Sequence, residues 1–165
     1  MSFLKISKAM GITFGLFAVM LFALSGCATL PSPEAMKSDI SGYELPKLPE
    51  DGKAIVYVVR PSFVGTLIRF GVFVDDKEVA SEMGYTKGKQ YIYFNLLPGE
   101  HQILSKAENW ASINVNAKAG DILFIYQEPK MGVLIARNEL RIPQEYEGKY
   151  HVKHLTMGTI IKVDK

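Results

Sequence analysis

The chain has 165 residues, with 19 Lys and Arg against 17 Asp and Glu, 48% apolar residues and one cysteine. That is room for a single domain of ordinary globular composition. The +2 charge is carried by Lys5 and Lys8, the only charged residues before Cys27; without them 17 basic residues balance 17 acidic ones. A neutral remainder has no electrostatic footprint for nucleic acid and no basic stripe for anionic lipid.

The first predicted element is a leader over residues 1–26. Lys5 and Lys8 form a positive start, and Met10–Ala23 is uncharged and apolar. As a helix this run reaches about 21 Å, short of the roughly 30 Å of a bilayer core. It fits a signal-peptide core better than a permanent span. Leu24-Ser25-Gly26-Cys27 follows. The small residues Ser25 and Gly26 let the backbone enter a peptidase cleft, and the Cys27 thiol is the group that carries lipid. The pattern resembles a bacterial lipobox. That resemblance implies cleavage between Gly26 and Cys27 and diacylglycerol on Cys27. Two or more acyl chains anchor a protein stably. Ala28 stands where lipoproteins retained in the inner membrane often carry Asp, which points to the outer membrane of a Gram-negative cell with the domain facing the periplasm. Lipidation also accounts for the lone cysteine. No intramolecular disulfide is available, so the fold must stand on its core.

Residues 27–51 read as a lipid-anchored tether, with Pro31, Pro33, Pro46 and Pro49 and no sustained apolar period. Ile40, Tyr43, Leu45 and Leu48 are placed to pack on the domain edge.

The domain is expected over residues 52–165. Ala54–Val59 is β-branched and aromatic on both faces, which predicts a central strand covered on both sides. Arg60-Pro61 ends it, because proline cannot donate to a ladder. Ser62–Gly65 reads as a loop, Leu67–Val74 as a strand and Asp75-Asp76 as a tight turn into Lys77–Ala80. Tyr85–Gln90 is polar and turn-rich. Tyr91–Leu97 is a strand, Pro98-Gly99 a turn, and His101–Ala107 the next strand. Ser112–Ala117 alternates with one wet face and one buried face. Ala119-Gly120-Asp121 turns into a strand over Ile122–Gln127. Ala136–Tyr150 is broken by Pro143 and Gly148 and reads as a short helix or a long loop. Tyr150–Leu155 and Thr159–Val163 read as closing strands. No window shows a convincing amphipathic helix. Short strands with turns between them predict a mainly β fold: one antiparallel β-sandwich of about seven to nine strands.

Three stretches also carry a family resemblance. They are Lys53–Gly65 with its Tyr-x-x-Arg-Pro-Ser-x-x-Gly, Val72–Val79, and Tyr91–Phe94 followed by Leu97-Pro98-Gly99-Glu100-His101. Together they resemble the bacterial domain-of-unknown-function family 2846. The resemblance implies a lipid-anchored β-sandwich and carries no established activity. Asp76 stands where the family's hairpin usually has Gly, and the segment after Pro129 matches poorly.

The chemistry-bearing residues are few. His151 and His154 would share a face on a helix, but their setting reads as a strand, where i and i+3 point to opposite sides. His101 reads as a turn or edge residue. Asp75-Asp76 fits turn preference, and Glu145 with Glu147 fits a solvated loop. No Gly-x-Ser-x-Gly elbow and no phosphate-cradling glycine loop occurs. No metal or cofactor is called for.

The binding candidates are Arg60, Phe63 and Trp110. Arg60 ends a buried strand, where it caps loop carbonyls, pairs a carboxylate, or faces a ligand or partner. Phe63 follows in the loop. Trp110 is the sole tryptophan, a residue type enriched at binding hot spots and used equally in core packing. The expectation is a non-enzymatic envelope module that binds a protein or glycan or serves as an assembly subunit. The alternative is an envelope hydrolase acting on cell-wall glycan through carboxylates.

Overall fold

The computed structural model describes residues 30–131 and 136–165. The leader, Gly26 and Cys27 lie outside the described residues. Two five-stranded sheets face one another. In chain order the strands are β1 (Ala54–Arg60), β2 (Phe70–Val74), β3 (Glu82–Thr86), β4 (Gln90–Leu96), β5 (Gly99–Lys106), β6 (Trp110–Ala117), β7 (Ile122–Met131), β8 (Ala136–Arg141), β9 (Thr156–Met157) and β10 (Thr159–Ile160). The first sheet runs β8-β7-β1-β4-β9 and the second β10-β3-β2-β5-β6. The fold is mainly β, as the strand-and-turn pattern predicts. The described residues hold ten strands, of which β9 and β10 are two residues each.

β1 is the central strand, and all seven of its residues are buried. It pairs antiparallel with β4 and parallel with β7. Its alternate residues Ala54, Val56 and Val58 enter the core between the sheets. There they meet Val72, Val74, Met83, Ile92, Phe94, Leu96, Ile103 and Ile125. Ile55, Tyr57 and Val59 face the other way and build a second cluster with Tyr91, Phe124, Tyr126 and Val152. A strand flanked by two apolar layers has no wet face, which is why it carries no alternation.

That second layer is helical, contrary to the sequence expectation. α1 (Pro33–Asp39) and α2 (Glu145–His154) pack on one another, and α2 packs on β1 and β7. The stretch Tyr150–Leu155 was expected to be a strand. It is helical through His154 because Gly148, His151 and Val152, at i, i+3 and i+4, form one buried stripe. Gly148 permits the close approach. A Cβ there would stand 2.2 Å from Cγ of Phe124.

Residues 32–51, read as a spacer, pack with the domain; the compact unit runs from Ser32 to Lys165. Ser32 caps α1 by accepting from Ala35 N at 3.2 Å, and Pro33 occupies the first turn, where no amide donor is needed. The Tyr57 hydroxyl then ties down the following segment. It donates to Lys47 O at 2.6 Å and accepts from Lys47 N at 3.0 Å.

Three other elements shift. The strand expected at Leu67–Val74 starts at Phe70, because the preceding residues are held in a loop by Arg60. Glu82–Thr86 is a strand, which confines the turn to Lys87–Lys89. Val79–Ser81 is a short 3-10 turn.

Candidate functional site

At one end of the sandwich the loop 61–69 leaves β1 and enters β2. Arg60 is fully buried beneath it. Its Nη1 donates to Ile68 O at 2.6 Å, and its Nη2 to Val64 O at 3.1 Å and Gly65 O at 2.8 Å. The guanidinium lies over the Phe70 ring, 3.6 Å from the centroid. Burial draws its pKa down to about 10, so it stays charged at neutral pH. A charge at this depth needs hydrogen bonds on most of its donors. Here backbone carbonyls supply them. Arg60 thus caps loop carbonyls.

Three further polar backbone groups of the loop find partners. Ile68 N donates to Gly65 O, Val64 N to Ser62 Oγ, and Gly88 N to Thr66 O. What the loop presents outward is apolar: Phe63 is 69% exposed, Val64 60% and Leu67 82%. Phe63 therefore stands in the open. Leu67 and Val64 join it, which sequence reasoning missed by drawing Leu67 into a strand.

A groove of about 360 Å³ lies beside the loop on the outer face of the second sheet. Its lining includes Arg69, Gly71, Phe73, Glu82 and Lys106. Arg69 pairs with Glu82 and lies over the Tyr85 ring at 4.2 Å. Gly71 keeps the floor low; a Cβ there would stand 2.9 Å from the Phe73 ring and 3.2 Å from a Glu82 oxygen. Trp110 packs edge-on against Phe73, with centroids 5.1 Å apart, and Lys106 and Lys77 flank its ring at 5.0 and 5.3 Å. The tryptophan thus supports the groove through Phe73. A glycine inside an apolar strand is the sequence signal that marks this place.

Beneath both features a buried polar chain links the sheets. Thr86 Oγ1 donates to Gln127 Oε1 at 2.5 Å, and Gln127 Nε2 donates to Ser105 Oγ at 2.8 Å. Thr86 and Ser105 belong to the second sheet and Gln127 to the first, so the bonds fix the sheets' relative position at this end.

The histidines lie in three separate contacts. His101 Nδ1 is 3.0 Å from Asp75 Oδ2 and its Nε2 is 3.0 Å from Leu97 O, which occupies both ring nitrogens. His154 meets Asp39 at 2.7 Å. This contact and Lys153 hold the Asp39 carboxyl below the usual range. His151 is buried, edge-on to Tyr126 at 5.5 Å and 3.8 Å from Glu147. Burial pushes its pKa down to about 4. Glu147 forms an ion pair with Arg141, which keeps its carboxyl ionised below the usual range. Glu145 lies in the exposed first turn of α2. The helix does bring His151 and His154 to i, i+3, but one is buried and the other pairs outward. Among the described residues no group of three or more His, Cys, Asp or Glu side chains is placed to hold a metal ion.

Two facing sheets, a helical cover on one and an open face with a groove on the other define a β-sandwich of the kind the family resemblance implies. The chain belongs to the family described as "Protein of unknown function (DUF2846)", whose model matches residues 50–139. It is similar to an uncharacterized protein of Haemophilus influenzae, 29% identical over 158 residues, covering 89% of this chain and 90% of that relative. No solved structure matches. Among the described residues no helix is long and apolar enough to cross a membrane.

Proposed function

We propose that the chain is a lipid-anchored cell-envelope protein, held through acylated Cys27 on the periplasmic side of a Gram-negative outer membrane. There it acts as a non-enzymatic binding or assembly module for another envelope protein. The anchor rests on the lipobox at Leu24-Ser25-Gly26-Cys27. The binding role rests on one observation: α1 and α2 roof the first sheet, whereas the second sheet keeps an outer face with the Gly71-floored groove. The groove's lining carries Arg69 and Lys106 with Glu82 and Glu108. Both signs of charge beside the Phe73 ring suit a polypeptide segment better than a polyanion. Each histidine meets a different carboxylate, and no two of these pairs share a described groove, so no observation favours the hydrolase reading.

The anchor is tested by Cys27→Ser, which should leave the precursor uncleaved and block palmitate incorporation. Unchanged processing overturns it. The binding role is tested by a photo-reactive residue at Lys106 in intact cells. It should capture a protein in the parent chain, and Gly71→Leu, which fills the groove against the movable ends of Phe73 and Glu82, should lower the yield several-fold. Equal capture with and without Gly71→Leu, in a variant that still folds, overturns the groove as the site.

A further inference from the structure

We infer that the loop 61–69 is a wedge that sinks Phe63, Val64 and Leu67 into the surface of a phospholipid bilayer, a second membrane contact beside the acyl anchor.

Each backbone polar group bonded within the protein lowers the cost of bringing a segment to a membrane surface. Four carbonyls of this loop are bonded in that way. The buried Arg60 supplies donors to Val64 O, Gly65 O and Ile68 O. Thr66 O accepts from Gly88 N and Val64 N donates to Ser62 Oγ. The side chains the loop presents outward are a phenylalanine, a valine and a leucine, each more than half exposed. No charged residue occurs between Pro61 and Ile68. A protein-binding surface centres on Trp, Tyr and Arg anchors within a polar rim; a protruding set of aliphatic and phenyl groups fits acyl chains better.

The neighbouring charges agree. Gly88 packs against Thr66, where a Cβ would stand 2.6 Å from Thr66 Oγ1, so the turn 87–89 sits beside the wedge. Lys87 and Lys89 are exposed on that turn, and neither forms an ion pair among the described residues. Two free ammonium groups beside an apolar tip match the phosphate level above the hydrocarbon. The domain as a whole is neutral, so apolar insertion rather than bulk charge carries the contact.

The inference draws on the anchoring reading only for the membrane's being near. The experiment uses full-length acylated protein in phosphatidylethanolamine–phosphatidylglycerol vesicles. Acylated Cys27 has no free thiol, so Leu67→Cys and, as a reference on β6, Asn114→Cys each give one site for an environment-sensitive fluorophore. The Leu67 label should shift to the blue and be quenched by nitroxide-bearing lipids several-fold more than the Asn114 label. Adding Phe63→Asp should return it towards the aqueous spectrum. Equal quenching at both sites overturns the wedge, as does a photo-reactive residue at Phe63 that captures protein and no lipid. The mass of the purified protein reports the acyl chains independently. If they are missing, the anchor reading falls, and the same labels read in a Cys27→Ser background decide the wedge by itself.

Discussion

Nη2 of Arg60 stands 2.8 Å from the carbonyl oxygen of Gly65, five residues along the chain. Arg60 is thereby both the last residue of the central strand and the support of the loop that follows it. Replacing it strands several loop carbonyls without donors in a buried setting. A buried acceptor left without its donor costs about 1–3 kcal/mol. Arg60→Met keeps the apolar stem and should lower unfolding stability by that order in urea titrations. Arg60→Lys keeps the charge but lacks the planar fork, so it should recover less than half of the loss. Protease nicking should appear first between residues 61 and 69 in both variants.

The Tyr57 hydroxyl bonds both backbone polar groups of Lys47. Tyr57→Phe removes both bonds and leaves the ring in the cluster with Phe124 and Tyr93. The expected cost is about 1–3 kcal/mol. Its signature is local: the Lys47 amide should lose hydrogen-exchange protection while amides of β1 keep theirs. Uniform loss across the sheet would assign Tyr57 a global role instead.

His151 makes the fold acid-sensitive. Its pKa falls from the ordinary 6.5 to about 4, chiefly through burial; Glu147 opposes that shift, and Arg141 and Lys89 add to it. The depressed value means that the folded state prefers the neutral ring. Its contribution is complete above pH 6.5 and is lost as pH falls towards about 4, where the folded form also protonates. At about 1.4 kcal/mol per unit the loss approaches roughly 3 kcal/mol. The Glu147–Arg141 pair erodes in the same direction lower on the scale, since a carboxyl held below its usual range loses its advantage as pH drops. His151→Phe should flatten the decline between about pH 6.5 and 4 and leave the Glu147 share. An unchanged acid limb in that variant would remove His151 as its source.

What could be read in advance follows from where water reaches. β1 has no wet face, and its unbroken β-branched run announces that directly. β6 has one, and its alternation of Ile113, Val115 and Ala117 with Ser112, Asn114 and Asn116 is equally plain. α2 misled because its buried stripe is only Gly148, His151 and Val152, too sparse for a clear period beside the strand-like Tyr150 and Val152. The docking of residues 32–51 depends on Tyr57 and α2, partners remote in sequence. Arg60 was legible as a capper of loop carbonyls because a charge at the end of a buried strand needs acceptors nearby. Gly71 inside an apolar strand marks the place of the groove, but its outline was not legible, since it is framed by residues from four segments.

The pairing of β1 with β4 and β7 has a consequence for how the molecule is made. Tyr57 waits for Tyr93 on one side and Phe124 on the other. The layer above them closes only with α2, and Lys165 is bonded to Asn95 and Leu97. Contacts this distant in sequence make folding slow, because long loops must close before any of them contributes. A chain made amino-terminus first has its central strand early, incomplete until Lys165 is in place. That delay makes the apolar Ala54–Val59 the segment in most need of a chaperone meanwhile.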